Sequence, residues 1–512
     1  MPNSLTIAGM LEAGDGDGLA IADVHGHGLN YNDLRSQVRD TRDFLAQCGL
    51  TCRDSVAYSL RNGPETAALF LALSSYCRVA PLNPNYTARE AAFSLADLHV
   101  RMVITAPGAV EAAEAAREVG VSHVLLESDA HEKPGAYHLR GETASHDKPR
   151  NNAPVSDDIA LLLHTSGTTA RPKLVPLTHR NLCLSSSAVR ETLRLTAGDR
   201  CLSFMPLFHI HGLVAGLLAS ISAGAAICCA RGFQATSFFS WIESSQATWY
   251  TGVPTMHQAI LRRAPSNSEA LSRHKLRAIR SSSSPLFASV WEQLETTFGV
   301  PVVNAYGMTE AAHQIACVPL DGGKLFQGSV GRSTGPEITI LDGSGSSLRA
   351  GEVGEVALRG AQIINAYLGP QEVNDRAFVN GWFRTGDQGF LDGNGALTLC
   401  GRIKELINSG GEKVSPYEVE ETLLNHSAVI QAAVFAAPHE LLGEQVIAAV
   451  VIRESYRATE KELLQYVSSR LARHKHPRRI LIVDEIPGGA TAKIQRNKLA
   501  AFFGLVPSPS SA

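Results

Sequence analysis

An early alternation of apolar runs and helical stretches leaves this chain few architectures. Residues 55–60 read as a strand and 64–74 as a helix, and a second helix spans 88–98 from a cap near Thr87. Strand 101–105, helix 110–119 and strand 123–127 follow. Strands joined through helices run parallel, because the crossover carries the chain back to the same end of the sheet. The first part therefore predicts an α/β fold of βαβ units. A polar connector with prolines at 145–154 fits either a subdomain boundary or a surface loop.

The next apolar run, 159–163, ends abruptly in His164-Thr165-Ser166-Gly167-Thr168-Thr169-Ala170-Arg171-Pro172-Lys173. Hydroxyls, a glycine that lets the backbone turn, main-chain N–H groups and one mobile ammonium are suited to wrapping phosphate oxygens. The spacing is not that of a Walker loop. A solvated Ser/Thr turn has the same composition, so the loop by itself leaves both readings open.

Beyond it, 181–195 reads as a helix and 200–205 as a strand, leading to Phe208-His209-Ile210-His211-Gly212, a turn with two imidazoles that suits packing or function equally. Strand 276–281 runs into four serines, Ser281 to Ser284, and strand 302–306 into Gly307-Met308-Thr309-Glu310. Three strands thus end in small polar loops, and ligands of open α/β sheets sit beyond strand carboxyl ends. From about Gly328, short alternating segments at 337–341, 355–359 and 396–400, spaced by Asp-Gly and Asp-Gly-Asn-Gly, read as a small antiparallel β-subdomain. A compact α+β unit follows: helix 416–425, strands 429–436 and 446–452, helix 459–473 and strand 479–483. The expected division is a large domain, 1–401, and a small mobile C-terminal one, 402–512.

Composition excludes several classes. With 46 basic and 49 acidic residues in 512, the chain lacks the basic footprint of a nucleic-acid binder. Nine scattered cysteines without a Cys-x-x-Cys pair argue for a reduced protein with no disulfide framework and no zinc site. The start has no secretory pattern and the end is not Ser-Lys-Leu, so a cytoplasmic location is expected. The uncharged stretch 213–230 carries Gly216, Ser220, Ser222 and Gly224, which suits a buried helix and strand better than a membrane span.

Taken in order, the segments 164–173, 304–310, 382–387, 401–407 with 409–416, and 491–496 resemble the signature set of the adenylate-forming superfamily. That superfamily comprises acyl-CoA synthetases, non-ribosomal peptide adenylation domains and luciferases, and the resemblance covers about 158–499. Blocks 206–213, 304–314 and 401–420 look most like the branch with plant and fungal oxalate–CoA ligases. The resemblance implies an AMP-forming acid–CoA ligase using ATP, Mg2+ and coenzyme A. It implies catalytic roles for Lys493, Thr309 and Glu310, with Glu310 also the metal ligand. Thr165, Ser166, Gly167, Thr168, Thr169, Lys173, Asn304, Ala305, Tyr306, Asp387 and Arg402 would bind the nucleotide. His209, Ser281, Ser283 and His313 would line the acid pocket, Lys404 would be the hinge, and Ser409, Gly410 and Gly411 would border the CoA channel. That polar pocket points to a short, polar or dicarboxylic acid such as oxalate, since burying an unpaired charge is costly. The family pattern has Gly where this chain has Ala170, Leu174 and Ala492, which asks for differently held loops. Two further readings stay open: an acyl-AMP ligase loading a carrier protein, and a non-catalytic nucleotide or carboxylate binder.

Overall fold

The computed structural model describes residues 5–142, 153–165, 172–273, 276–321, 329–454, 456–488 and 494–506. Among them, a seven-stranded sheet runs in the order His138–Arg140, Ser122–Glu127, Val100–Thr105, Ser55–Ser59, Arg78–Pro81, Ile159–Thr165, Lys173–Thr178. Its five central strands are parallel, as the alternation requires, and an antiparallel partner closes each edge. The helices Pro64–Ser74 and Val110–Val119 form where expected. Helix Ala88–Asp97 is entered through a reciprocal cap: the Glu90 N–H donates to Thr87 Oγ1 and the Thr87 N–H to Glu90 Oε2. Every residue of Pro64–Ser74 except Glu65 is buried, because this helix touches strands of both large sheets and has no solvent face.

The second sheet has fourteen strands among the described residues. Leu19–Ala22, Ala226–Cys229, Arg200–Ser203, Trp249–Gly252, Ala278–Ser281 and Val302–Met308 pair in parallel. At Val302–Met308 the pairing changes to antiparallel, passing through His313–Cys317, Ser329–Ser333, Ala396–Arg402, Trp382–Leu391, Gly354–Arg359 and Glu337–Leu341. The expected β-subdomain is therefore hydrogen-bonded directly onto the parallel half. The apolar stretch after the two imidazoles is buried, as expected: a π-helical His211–Leu218, a turn of helix at Ala219–Ser222, then the strand Ala226–Cys229. No helix among the described residues is long and apolar enough to cross a membrane. None of the nine cysteines forms a disulfide.

Residues from 407 onward build two cores of their own around a five-stranded sheet with helices Pro416–Leu424 and Glu460–Ser468. The second helix stops short of the expected 473. Ser468 and Ser469 turn their hydroxyls back onto the Gln465 and Tyr466 carbonyls, competing with continued helical bonding. The unit rests on the larger one through Phe287, packed against its core, and through Gln258 Nε2, which donates to the Ile430 carbonyl at 3.2 Å.

Candidate functional site

The site forms where the second sheet changes from parallel to antiparallel. Tyr306, in Val302–Met308, donates its hydroxyl to Asp387 Oδ2 at 2.5 Å. Arg402, register partner of Asp387 on the neighbouring strand, donates Nε to Oδ1 at 3.1 Å. Asp387 is buried, which raises its carboxyl above the ordinary range, while Arg402 and Tyr306 pull it back down. Gly386, at φ +74°, supplies the left-handed turn that presents this carboxylate. Asn304 spends its amide on the Ser329 carbonyl at 3.0 Å, and the Ala305 carbonyl accepts from Ser282 Oγ at 2.9 Å. Three of the expected nucleotide residues, Tyr306, Asp387 and Arg402, thus form one bonded cluster.

A second cluster lies at the end of the same strand. Thr309 opens the short helical turn Thr309–Ala311, which buries Glu310. Tyr367 donates its hydroxyl to Glu310 Oε1 at 2.8 Å, and Lys173 Nζ stands 4.4 Å from the centre of the Tyr367 ring. Burial pulls the Lys173 ammonium below the ordinary lysine range; Glu310 opposes this, and the charge of Lys404 adds to it. Lys404, in the turn Ile403–Glu405, is therefore electrostatically part of this cluster. Thr165 sits opposite Lys173 across an antiparallel pair. Leu174 is extended, packs in the core and bonds to Leu368, so it needs no glycine conformation. Glu310 is a hard-oxygen donor that fits a magnesium ion taking its other ligands from phosphate and water. No group of three His, Cys, Asp or Glu among the described residues would hold a metal unaided.

The third cluster is a polar wall. His211 Nδ1 bonds Ser283 Oγ at 3.0 Å and its Nε2 bonds Thr251 Oγ1 at 2.7 Å. The His211 and His313 rings stack, with centres 4.9 Å apart. Arg280, wholly buried, donates to Thr251 Oγ1 at 3.3 Å, His313 Nε2 at 3.1 Å and Gln314 Oε1 at 3.0 Å. Its Nε meets no partner among the described residues, and burial pushes the guanidinium down to about 10. Ser283, Ala312 and His313 all have positive φ, at 75°, 50° and 109°. Such strain in non-glycine residues persists only where surrounding structure holds it, and it collects at working sites.

The structure joins Ser283 and His313 to this wall. Its bonded imidazole beside Ser283 is His211, two residues after the half-buried His209, and Ser281 buries a hydroxyl that meets no partner among the described residues. Ser409 and Gly410 lie in the C-terminal unit, where the Gly410 N–H donates to the Leu442 carbonyl at 3.0 Å; Gly410 and Gly411 have φ of 64° and 96°. Ser166, Gly167, Thr168, Thr169 and Lys493 lie outside the described residues. Sequence reasoning missed Thr251, Tyr367 and Arg280. Arg280 did carry a signal, a charge in the middle of an otherwise apolar strand.

Residues 13–368 match the AMP-binding enzyme family and residues 418–493 match the AMP-binding enzyme C-terminal domain. The chain belongs to the AMP-binding enzyme family. A probable CoA ligase of Humulus lupulus, CCL9, is 41% identical over 98% of this chain and 97% of its own length. An oxalate–CoA ligase of Arabidopsis thaliana is 41% identical over 90% of both chains. The crystal structure of ATP-bound MatB from Rhodopseudomonas palustris superposes with a TM-score of 0.86 at 27% identity, over 98% of this chain and 99% of that one. This member of the family is an enzyme of the AMP-forming acid–thiol ligase class, a class that works with ATP, Mg2+ and coenzyme A.

Proposed function

We propose that the chain is an AMP-forming ligase that joins a short dicarboxylic acid, oxalate first among them, to coenzyme A. One observation carries the choice of acid: the wall beside the phosphate cluster is built from His211, Ser283, Thr251 and His313 around a buried cation. The wholly buried Arg280 gives this wall a positive charge that a second carboxylate would balance and an alkyl chain would not. The Arabidopsis relative named for oxalate supports the same reading.

The chemistry follows from the clusters. A carboxylate oxygen of the acid attacks the α-phosphorus of ATP, the bond to the bridging oxygen breaks, and pyrophosphate leaves. The thiol sulfur of coenzyme A then attacks the acyl carbon, the bond to the AMP oxygen breaks, and the thiol proton passes to solvent. Phosphoryl transfer needs placement and charge neutralisation more than covalent help. We assign Asp387, fixed by Tyr306 and Arg402, to the ribose hydroxyls, and Lys173 to the outer phosphates. Glu310 would hold Mg2+, which when bound neutralises phosphate oxygens. Asn304, Ala305, Thr309 and the 165–169 segment are assigned to the nucleotide as well. Lys493 is assigned from the sequence to the junction of acid and α-phosphate, and a boundary at Arg402 with a pivot at Lys404 would let the small unit serve both half-reactions. Ser409, Gly410 and Gly411 would then border the path of the thiol.

The test is pyrophosphate release over a panel of acids (oxalate, malonate, glyoxylate, octanoate), with AMP release measured with and without coenzyme A. Oxalate should lead the panel and coenzyme A should be required for turnover. Preference for octanoate would overturn the choice of acid. Lys493→Ala should slow adenylate formation about 10²–10³-fold while leaving thioester formation from supplied acyl adenylate nearly unchanged. An unaffected first step would remove Lys493 from the scheme.

A further inference from the structure

A fully buried arginine needs an explanation of its own. Arg280 meets only a hydroxyl, an amide oxygen and an imidazole, and no carboxylate among the described residues lies within ion-pair distance. The titratable groups around it are the thiols Cys317 and Cys201 and the ring of His313, with His211 one bond further through Thr251. Burial pulls the guanidinium down only to about 10, so it stays protonated at neutral pH. Burying an ion with no opposite charge beside it is costly, which makes a purely structural reason for Arg280 weak.

Hydrogen-bond logic then fixes its neighbours. Every guanidinium nitrogen donates, so His313 Nε2 must accept, and His313 is the neutral ring with its proton on Nδ1. Thr251 Oγ1 accepts from Arg280 Nη1 and also bonds His211 Nε2, so the two contacts together hold the ring whose Nδ1 meets Ser283. We propose that Arg280 sets acid specificity as a positioning residue: it locks His313 and His211 in place and supplies the fixed positive charge that a second carboxylate at the wall balances. This rests on the dicarboxylic reading above, and it goes further by assigning the selectivity to a side chain set behind the wall. With that charge permanent, binding a doubly charged acid requires no proton uptake by either imidazole.

Arg280→Met and Arg280→Lys, assayed from pH 6 to 8, test it. The acids are oxalate and glyoxylate, which differ in the second carboxylate; glyoxylate serves as substrate or as competitive inhibitor. In the parent enzyme the KM for oxalate should be flat over this range. In Arg280→Met it should rise at least about 30-fold at pH 8, equivalent to ~2 kcal/mol. It should recover towards pH 6, where an imidazole proton replaces the lost charge, while glyoxylate changes less than about threefold. Arg280→Lys keeps the charge and should keep an oxalate preference of at least about tenfold; loss of that preference would overturn the proposal even if the Met variant does not fold. ATP-induced thermal shift reports folding. Equal losses for both acids, or an unchanged oxalate preference in Arg280→Met, would overturn the role of Arg280 alone. A parent enzyme that activates no dicarboxylic acid would overturn the dicarboxylic reading and this proposal together.

Discussion

Tyr367 joins Glu310 to Lys173, the cluster proposed to hold the phosphates, and can be dissected with two substitutions. Its hydroxyl donates to Glu310 at 2.8 Å, and its ring lies 4.4 Å below Lys173. Tyr367→Phe removes the first contact and keeps the second. A hydrogen bond to a charged partner contributes roughly 1.5–3 kcal/mol, and Glu310 is buried, so little water replaces it. The KM for Mg·ATP should therefore rise roughly 10- to 150-fold. Tyr367→Leu also removes the ring, adding roughly 0.5–2 kcal/mol for the lost cation–π contact. Pyrophosphate release at fixed ATP and varied Mg2+ reads both. In a double-mutant cycle with Glu310→Gln, Tyr367→Phe should cost little once the carboxylate is gone. A Phe variant with the parent Mg2+ dependence, or costs that simply add in the cycle, would refute the view that Tyr367 acts through Glu310.

Asp387→Asn leaves Arg402 without its ion pair and should weaken ATP binding by about 10²-fold, read by calorimetric titration, with little effect on KM for the acid. Burial pushes His179 down to about 4 and His257 down to about 3, so both fold neutral and take up protons mainly when unfolded. Their contribution is full above pH 6.5 and is lost as pH falls towards those values. At pH 5 the loss is about 2 kcal/mol for each ring. Urea melts at pH 7.5 and 5 should show this acid sensitivity, and His257→Gln should remove about half of it. Gly307→Ala would place a Cβ 1.9 Å from the His313 carbonyl oxygen, which should cost about 1–3 kcal/mol of thermal stability and raise KM for both ATP and the acid.

Much of this arrangement was legible in the residues. The alternation in the first part gave the parallel sheet because helix and strand periods differ sharply there, and the cap at Thr87 marked a helix start correctly. The early strands Leu19–Ala22 and Gly28–Asn30 and the helix Tyr31–Gln47 were not anticipated, since their burial comes from long-range partners such as Ala226–Cys229 and not from a strong local pattern. Asp387, Tyr306 and Glu310 were named from the ordered resemblance of 304–310 and 382–387 to a family signature, since Thr385-Gly386-Asp387 taken alone reads equally well as a tight turn. Tyr367 and Thr251 could not, because each is one residue in an ordinary segment and gains meaning only from what lies across the fold. His209 was named for the acid pocket and His211 was not. The structure buries His211 at the start of a π-helical segment and bonds it to Ser283 and Thr251, while His209 is half-buried with its Nδ1 enclosed.

The strand Val302–Met308 has a practical consequence for anyone redesigning this catalyst. On the proposed assignments Tyr306 faces the nucleotide, while Gly307 leaves a Cβ no room against the His313 carbonyl on the acid side, so one strand borders both compartments. Retuning which acid is accepted by editing that strand would disturb cosubstrate handling at the same time. Libraries aimed at new acids are better centred on His211, Thr251 and Ser283, which lie off that strand, with His313, stacked on His211, left unchanged.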